Sequence, residues 1–369
     1  MPFLTNGPDG AVYLSWTEPT GAGAHALRLA RWRGSRWSSA ETIAEGRNWF
    51  VNWGDFGSVT VRPDGSMLAH WLVRAEGGGQ YGYGIRVAMR EATRPVWRDV
   101  HAMSRDEKVD YAGFLTFAPG TGAAVYLSPP AQQGAVAAHG GEHEHRKTVR
   151  FIEFDASGSV SRDQELDADV CSCCQTALAK TAYGWIAAYR DHAPGEIRDI
   201  AVTRLRNGRW TKPEPLHRDG WNINGCPTDG PSIASNRGGL AIVWLTRAGG
   251  EARVQAALSG DDGLRFRRPI RLDGGNPLGR PAIQKFDTES YLATWLEKTG
   301  DDGVEIRLRK VAVSGELSRP VVLTRVPVGR ASGFPKIALT GNRILIAWRD
   351  ERVRAAMLTT EEFTAKERK

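Results

Sequence analysis

The sequence predicts an all-β fold. It reads as a β-propeller of four-stranded antiparallel blades, with seven blades as the first reading and six as the alternative. Three observations lead there. One short apolar strand recurs seven times, at intervals of roughly 50 to 65 residues along the 369-residue chain. The copies are flanked by weaker alternating strands and by Pro-Asp-Gly or Gly-Asn turn signals. No apolar pattern of helical period runs longer than about two turns.

The recurring strand reads AVYLSWTE (11–18), SMLAHWLVR (66–74), AAVYLSPP (123–130), GWIAAYRDH (184–192), LAIVWLTR (240–247), YLATWLEK (291–298) and ILIAWRDE (344–351). An aromatic closes most copies: Trp16, Trp71, Tyr189, Trp244, Trp295 and Trp348, with Tyr126 placed earlier in the third. Before it runs a strand that ends in a turn, as in SVTVRPDGS, FLTFAPGTG, SIASNRGG and KIALTGNR. After it comes a second alternating strand, such as LRLARWR, IRVAMRE, VRFIEFD and DIAVTRLR. A fourth strand is often opened by an aromatic or followed by proline, as in RWSSAETI, VWRDVHAM and RWTKPEPLH. The last unit has no evident fourth strand. Residues 1–358 are expected to form one propeller domain and residues 359–369 a polar C-terminal tail.

Composition narrows the class further. Hydrophobic residues make up 41% of the chain, enough for a sizeable core. No apolar run approaches the ~20 residues of a membrane-spanning helix. The formal charge of +7 comes from scattered, alternating charges, with no Lys/Arg run that would mark a nucleic-acid stripe. Neither nucleic acid nor a membrane span is expected. The start, MPFLTNGPDG, lacks a basic and apolar leader. The expectation is a periplasmic or secreted protein whose signal peptide has been removed.

Three of the four cysteines lie in DVCSCCQTAL, residues 169–178, and the fourth in NGCPTDGPSIA, residues 224–234. In a propeller, each segment leads into an innermost strand, of blades 4 and 5 respectively. Cys171, Cys173, Cys174 and Cys226 are therefore expected together at one mouth of the channel. The loop between the second and third strands of each blade opens on the same face, where loops on a rigid scaffold carry function. In blade 3 that loop holds His139, His143 and His145 with Glu142 and Glu144; in blade 4 it holds Arg190, Asp191 and His192. Trp49, Asn52, Trp53, Asp55, Asp110, Tyr111, Arg280 and Ser332 complete a funnel of polar and aromatic residues.

Three readings of the cysteines stand side by side. Thiolates in Cys-x-Cys-Cys suit a soft ion, Cu(I) first and Zn(II) second, with the histidines as secondary ligands. Two structural disulfides are the plain alternative, in any of three pairings, and imply an oxidising compartment. A nucleophilic or redox cysteine activated by a histidine is the third. HGGEHEH reads equally as a solvated polar loop.

The stretch SGDDGLRF, residues 259–266, matches the Asp-box pattern S-x-D-x-G-x-x-[WF], in which Gly frees the turn and Asp bonds nearby amides. With the repeat length and strand pattern, it resembles the sialidase-like (neuraminidase-like) β-propellers. CSCCQTALA, the Gly-Cys-Pro element around Cys226 and GRPAIQKF are similar to a bacterial exported subgroup of that family. The resemblance covers most of the chain. It implies a propeller fold. Were activity to follow, it would imply an exo-sialidase built on an Arg triad, an Asp and a Tyr–Glu pair. Arg190, Arg280 and Arg349 could supply the grip and Tyr111 the phenol; no Glu partner matches, and the family's Phe-Arg-Ile-Pro motif is absent. The sequence thus points first to an exported propeller that sequesters or delivers a soft metal. Its partner would be a periplasmic metal-handling or thiol-redox protein. A glycan-active or glycan-binding propeller and a disulfide-stapled interaction scaffold are the alternatives.

Overall fold

The computed structural model describes residues 1–103, 111–130, 146–237, 239–300 and 303–368. Its strands form seven antiparallel sheets in chain order, the blades of a β-propeller. Each of the seven apolar copies is the second strand of its blade, from Val12–Gly21 in blade 1 to Arg343–Asp350 in blade 7. Alternation explains why. A strand one removed from the axis packs both faces against neighbouring blades, so it reads as a nearly continuous apolar run. In blade 5, all eight residues of Gly239–Thr246 are buried.

The core is a ring of seams between blades. Leu27, Trp49, Val59 and Trp71 join blades 1 and 2. A larger cluster spans blades 2 to 4 through Ile85, Phe117, Phe151 and Tyr189. Ala188 and Trp244 join blades 4 and 5, and Val243 and Trp295 join blades 5 and 6. Leu296, Trp348 and Phe363 lie between blades 6 and 7. The ring closes where Leu4, Val12 and Leu14 of blade 1 meet Ala338, Leu345 and Ala347 of blade 7. Asn6 Nδ2 adds a 2.6 Å bond to the carbonyl of Leu339 at this closure.

Two outer elements differ from the sequence pattern. Blade 3 ends in an eleven-residue strand, Val160–Val170, whose largely exposed, charged character hides it from a search for apolar runs. Among the described residues, blade 7 has three strands and no strand from another part of the chain joins it. The expected polar tail instead forms a helix, Thr360–Glu367, opened by a reciprocal capping box between Thr359 and Glu362. Its Phe363 is fully buried, against Phe286 of blade 6. The helix thus covers the seam that a fourth strand would flank.

The turn at residues 259–266 joins the third and fourth strands of blade 5. Ser259 Oγ bonds Asp261 Oδ1 at 2.7 Å, the amide of Arg265 donates to the same carboxylate at 2.9 Å, and the amide of Gly263 donates to Ser259 Oγ at 2.8 Å.

Candidate functional site

The cysteines converge as the blade order implies. Cys171, Cys173 and Cys174 lie between the last strand of blade 3 and the first of blade 4, Ala177–Thr181. Cys226 lies one blade on, ahead of Ser232–Asn236. Cys173 and Cys226 are joined by a disulfide with Cα atoms 6.0 Å apart. Cys171 and Cys174 are free and buried. Cys171 Sγ is 3.4 Å from Cys174 Sγ and 3.9 Å from Cys173 Sγ, so four sulfurs form one cluster.

The backbone holds this cluster tightly. The amide of Cys171 donates to the carbonyl of Arg190 at 3.0 Å. Gln175 crosses the channel mouth: its Nε2 donates to the carbonyl of Gly54 at 2.6 Å, and its Oε1 accepts from the amide of Gly230 at 2.9 Å. Any Cβ on Gly230 would overlap the backbone of Gln175, so this approach of the two cysteine segments requires glycine. Thr228, two residues after Cys226, sits at φ 49°, a region β-branched residues avoid. Phe114, Glu196 and Arg280 are also left-handed on this face. Backbone strain of this kind concentrates at functional sites.

Two buried carboxylates stabilise that strain by the same device. Asp55 Oδ2 accepts the amide of left-handed Phe114 at 3.0 Å and the hydroxyl of Tyr83 at 2.9 Å. Asp229 Oδ2 accepts the amide of left-handed Arg280 at 2.7 Å. In each case the preceding residue is a glycine, Gly113 or Gly279, whose Cβ would collide with the carboxylate. Burial pushes the Asp55 carboxyl up to about 7, against the hydrogen bonds from Phe114 and Tyr83. Burial likewise raises Asp229 to about 6.

The thiols titrate as a pair. Cys171 is pushed down to about 6, chiefly by the hydrogen bond from Cys174, with help from the Cys173 amide and the fields of Arg190 and Arg198. Burial and the neighbouring Cys171 push Cys174 well up. The two shifts run in opposite directions, so Cys171 is the more acidic thiol of the pair, and the fields of Arg190 and Arg198 favour its ionisation.

Arg190 and Arg280 are structural cations. Arg190 donates to the carbonyls of Asp229 at 2.7 and 3.0 Å, Leu245 at 2.8 Å and Arg198 at 2.6 Å, under the ring of Trp221. Arg280 donates to Ser332 Oγ at 3.1 Å and to the carbonyls of Gly333 at 2.9 Å and Gly329 at 3.1 Å, and it lies over Trp53. Both were offered as funnel residues that could grip a ligand; here their donors serve main-chain carbonyls and, for Arg280, the Ser332 hydroxyl as well. Tyr111 is buried in a stack, Phe50–Tyr83–Tyr111, with Lys147 3.5 Å from its ring centroid. His192 has Nδ1 2.9 Å from Asp169 and Nε2 3.2 Å from Glu196, so both ring nitrogens face carboxylates rather than sulfurs. Asp191 beside it is raised to about 6, mainly by burial. Asp110, His139, His143 and His145 lie outside the described residues.

The chain is thus a seven-bladed β-propeller with a sulfur cluster at one mouth. No protein-family model and no curated protein matches its sequence. Solved structures match in fold. A GH93 α-L-arabinofuranosidase of Fusarium graminearum has a TM-score of 0.50 at 11% identity, over 86% of this chain and 96% of the other. A prolyl endopeptidase has 0.52 at 11% identity over 98% of this chain, which spans only 47% of that protein's length. A microbial sialidase has 0.47 at 13% identity over 80% of this chain, which spans 62% of its length.

Proposed function

We propose that this propeller binds a soft metal ion, Cu(I) in preference to Zn(II), through its cysteine cluster, for sequestration or delivery in an exported setting. The observation that carries the reading is the convergence of four sulfurs from two blade junctions, with separations of 3.4 and 3.9 Å around Cys171. Metal–thiolate bonds of about 2.3 Å in a tetrahedron set neighbouring sulfurs about 3.8 Å apart. Cys171, Cys173 and Cys174 therefore stand near the spacing of a ligand set, and Cys226 is held beside them by its bond to Cys173. Arg190 and Arg198 offset the negative charge that several thiolates would concentrate there.

The disulfide adds a condition. Reducing Cys173–Cys226 raises the number of free sulfurs from two to four, so metal capacity follows thiol state. A disulfide also supports an oxidising compartment. A periplasmic metal-handling or thiol-redox partner suits a site that must be reduced to load. Cys171, Cys173, Cys174 and Cys226 are the ligands proposed, and His139, His143 and His145 are candidate donors from the blade 3 loop. His192 would first have to leave Asp169 and Glu196. The hydrogen-bonded turn at Ser259 and Asp261 supports the resemblance to sialidase-like propellers.

A glycan-active site would need free guanidinium groups in the funnel, and Arg190 and Arg280 already hold carbonyls. Metal analysis of protein purified without chelator, paired with a free-thiol count, tests the metal reading. Copper or zinc retained by reduced protein is the expected result; absence of both after reconstitution under reducing conditions would sink it. Turnover of a fluorogenic sialoside would favour the glycosidase.

A further inference from the structure

The central channel carries a second feature, independent of the sulfur cluster. Innermost strands from all seven blades enclose a cavity of about 160 Å³. Lys336, first residue of the innermost strand of blade 7, lines it. Its Nζ lies 5.5 Å from the ring centroid of Phe3, 5.6 Å from Phe56 and 5.8 Å from Phe334. It has no hydrogen bond or ion pair to any described residue. Other interior cations are partnered: Arg190 and Arg280 by several carbonyls, Lys147 by the carbonyl of Tyr111.

Three rings stabilise an ammonium through their π faces, but they accept none of its three hydrogen bonds. Water reaching the channel can take some of them. An anion would take them and supply the missing charge as well. Burial already pushes Lys336 down to about 8, against the field of Asp229.

We propose that Lys336 and its aromatic collar form a binding site for a small monocarboxylate in the channel. The amine would hold the carboxylate, and Phe3, Phe56 and Phe334 would cover a short apolar tail. A volume of about 160 Å³, room for about five waters, suits a ligand of about four to six non-hydrogen atoms. A single negative charge fits a single cation, and Ser232 and Gln284 on the wall offer polar contacts to the ligand.

The test titrates the full chain with propionate, and with propionamide as the uncharged control, by saturation-transfer NMR. Wild-type protein should show saturable binding of propionate and none of the amide. Lys336→Met removes the charge while keeping most of the unbranched side chain, and should weaken propionate binding at least tenfold. If that variant does not fold, lysine reductive methylation of wild-type protein read by mass spectrometry answers the same question. Propionate should protect Lys336 while surface lysines react at an unchanged rate. Equal binding by Lys336→Met, no saturation, or no protection of Lys336 would overturn the proposal.

Discussion

Replacing Asp55 by asparagine should change how stability depends on pH, by an amount the structure sets. Asp55 is buried, and its carboxyl is pushed up from an ordinary 3.8 to about 7. Below the lower value both folded and unfolded states hold the proton. Between the two, the native state keeps a proton that the unfolded chain has released, so stability falls as pH rises through the window. At about 1.36 kcal/mol for each tenfold difference in proton affinity, the loss is on the order of 4 kcal/mol by pH 7. His70, fully buried and pushed down to about 3 by burial, acts in the opposite sense. Its unfolded form takes up a proton below about 6.5 that the native ring refuses, so stability falls as pH drops there. The raw wild-type curve mixes the two. The useful quantity is the difference between wild type and Asp55→Asn, from urea unfolding between pH 4 and pH 8. Asparagine can still accept from Phe114 and Tyr83, so a constant offset carries no information. The expected result is a wild-type curve that falls relative to the variant by several kcal/mol across the window. Parallel curves would refute the argument.

Other consequences follow from single contacts. Arg190→Met leaves the carbonyls of Asp229, Leu245 and Arg198 without their donor, at about 1–3 kcal/mol each; a loss under about 1 kcal/mol in urea unfolding would contradict the structural role. Gly230→Ala forces a Cβ against the backbone of Gln175 and should lower the melting temperature and slow formation of the Cys173–Cys226 disulfide; unchanged melting and oxidation would count against the close approach. Phe363→Ala empties a fully buried site between blades 6 and 7 and should cost about 3–5 kcal/mol, with hydrogen exchange rising first in blade 7. Uniform exchange in all blades would show that the helix does not serve that seam.

The repeat was legible because its signal is local. Each second strand carries its apolar run within six to ten residues, and six of the seven aromatics singled out in the repeats are buried: Trp71, Tyr126, Tyr189, Trp244, Trp295 and Trp348. The meeting of Cys171, Cys173 and Cys174 with Cys226 was legible for the same reason, since both segments precede an innermost strand. Which sulfurs pair was not, because nothing in Cys-x-Cys-Cys distinguishes Cys173 from its neighbours. The roles of Arg190 and Arg280 were hidden because their acceptors are carbonyls, which every residue has, some lying 39 to 55 residues away. Asp229 drew no notice within NGCPTDGPSIA, because its clamp on Arg280 depends on a partner 51 residues on. Lys336 looked like the ordinary start of a strand. The C-terminal helix did leave a trace: Thr359 and Glu362, three apart, are a capping-box signature ahead of Phe363.

The central claim is that the four sulfurs are one soft-metal site. X-ray absorption at the copper edge, on reduced protein loaded with Cu(I) and stripped of loosely bound metal, tests it most directly. The account predicts a copper shell of three or four sulfurs at about 2.2–2.3 Å, lost in the Cys171→Ser, Cys174→Ser double variant and in protein with Cys173–Cys226 oxidised. A shell of nitrogen and oxygen alone, or copper that does not survive stripping, would contradict it.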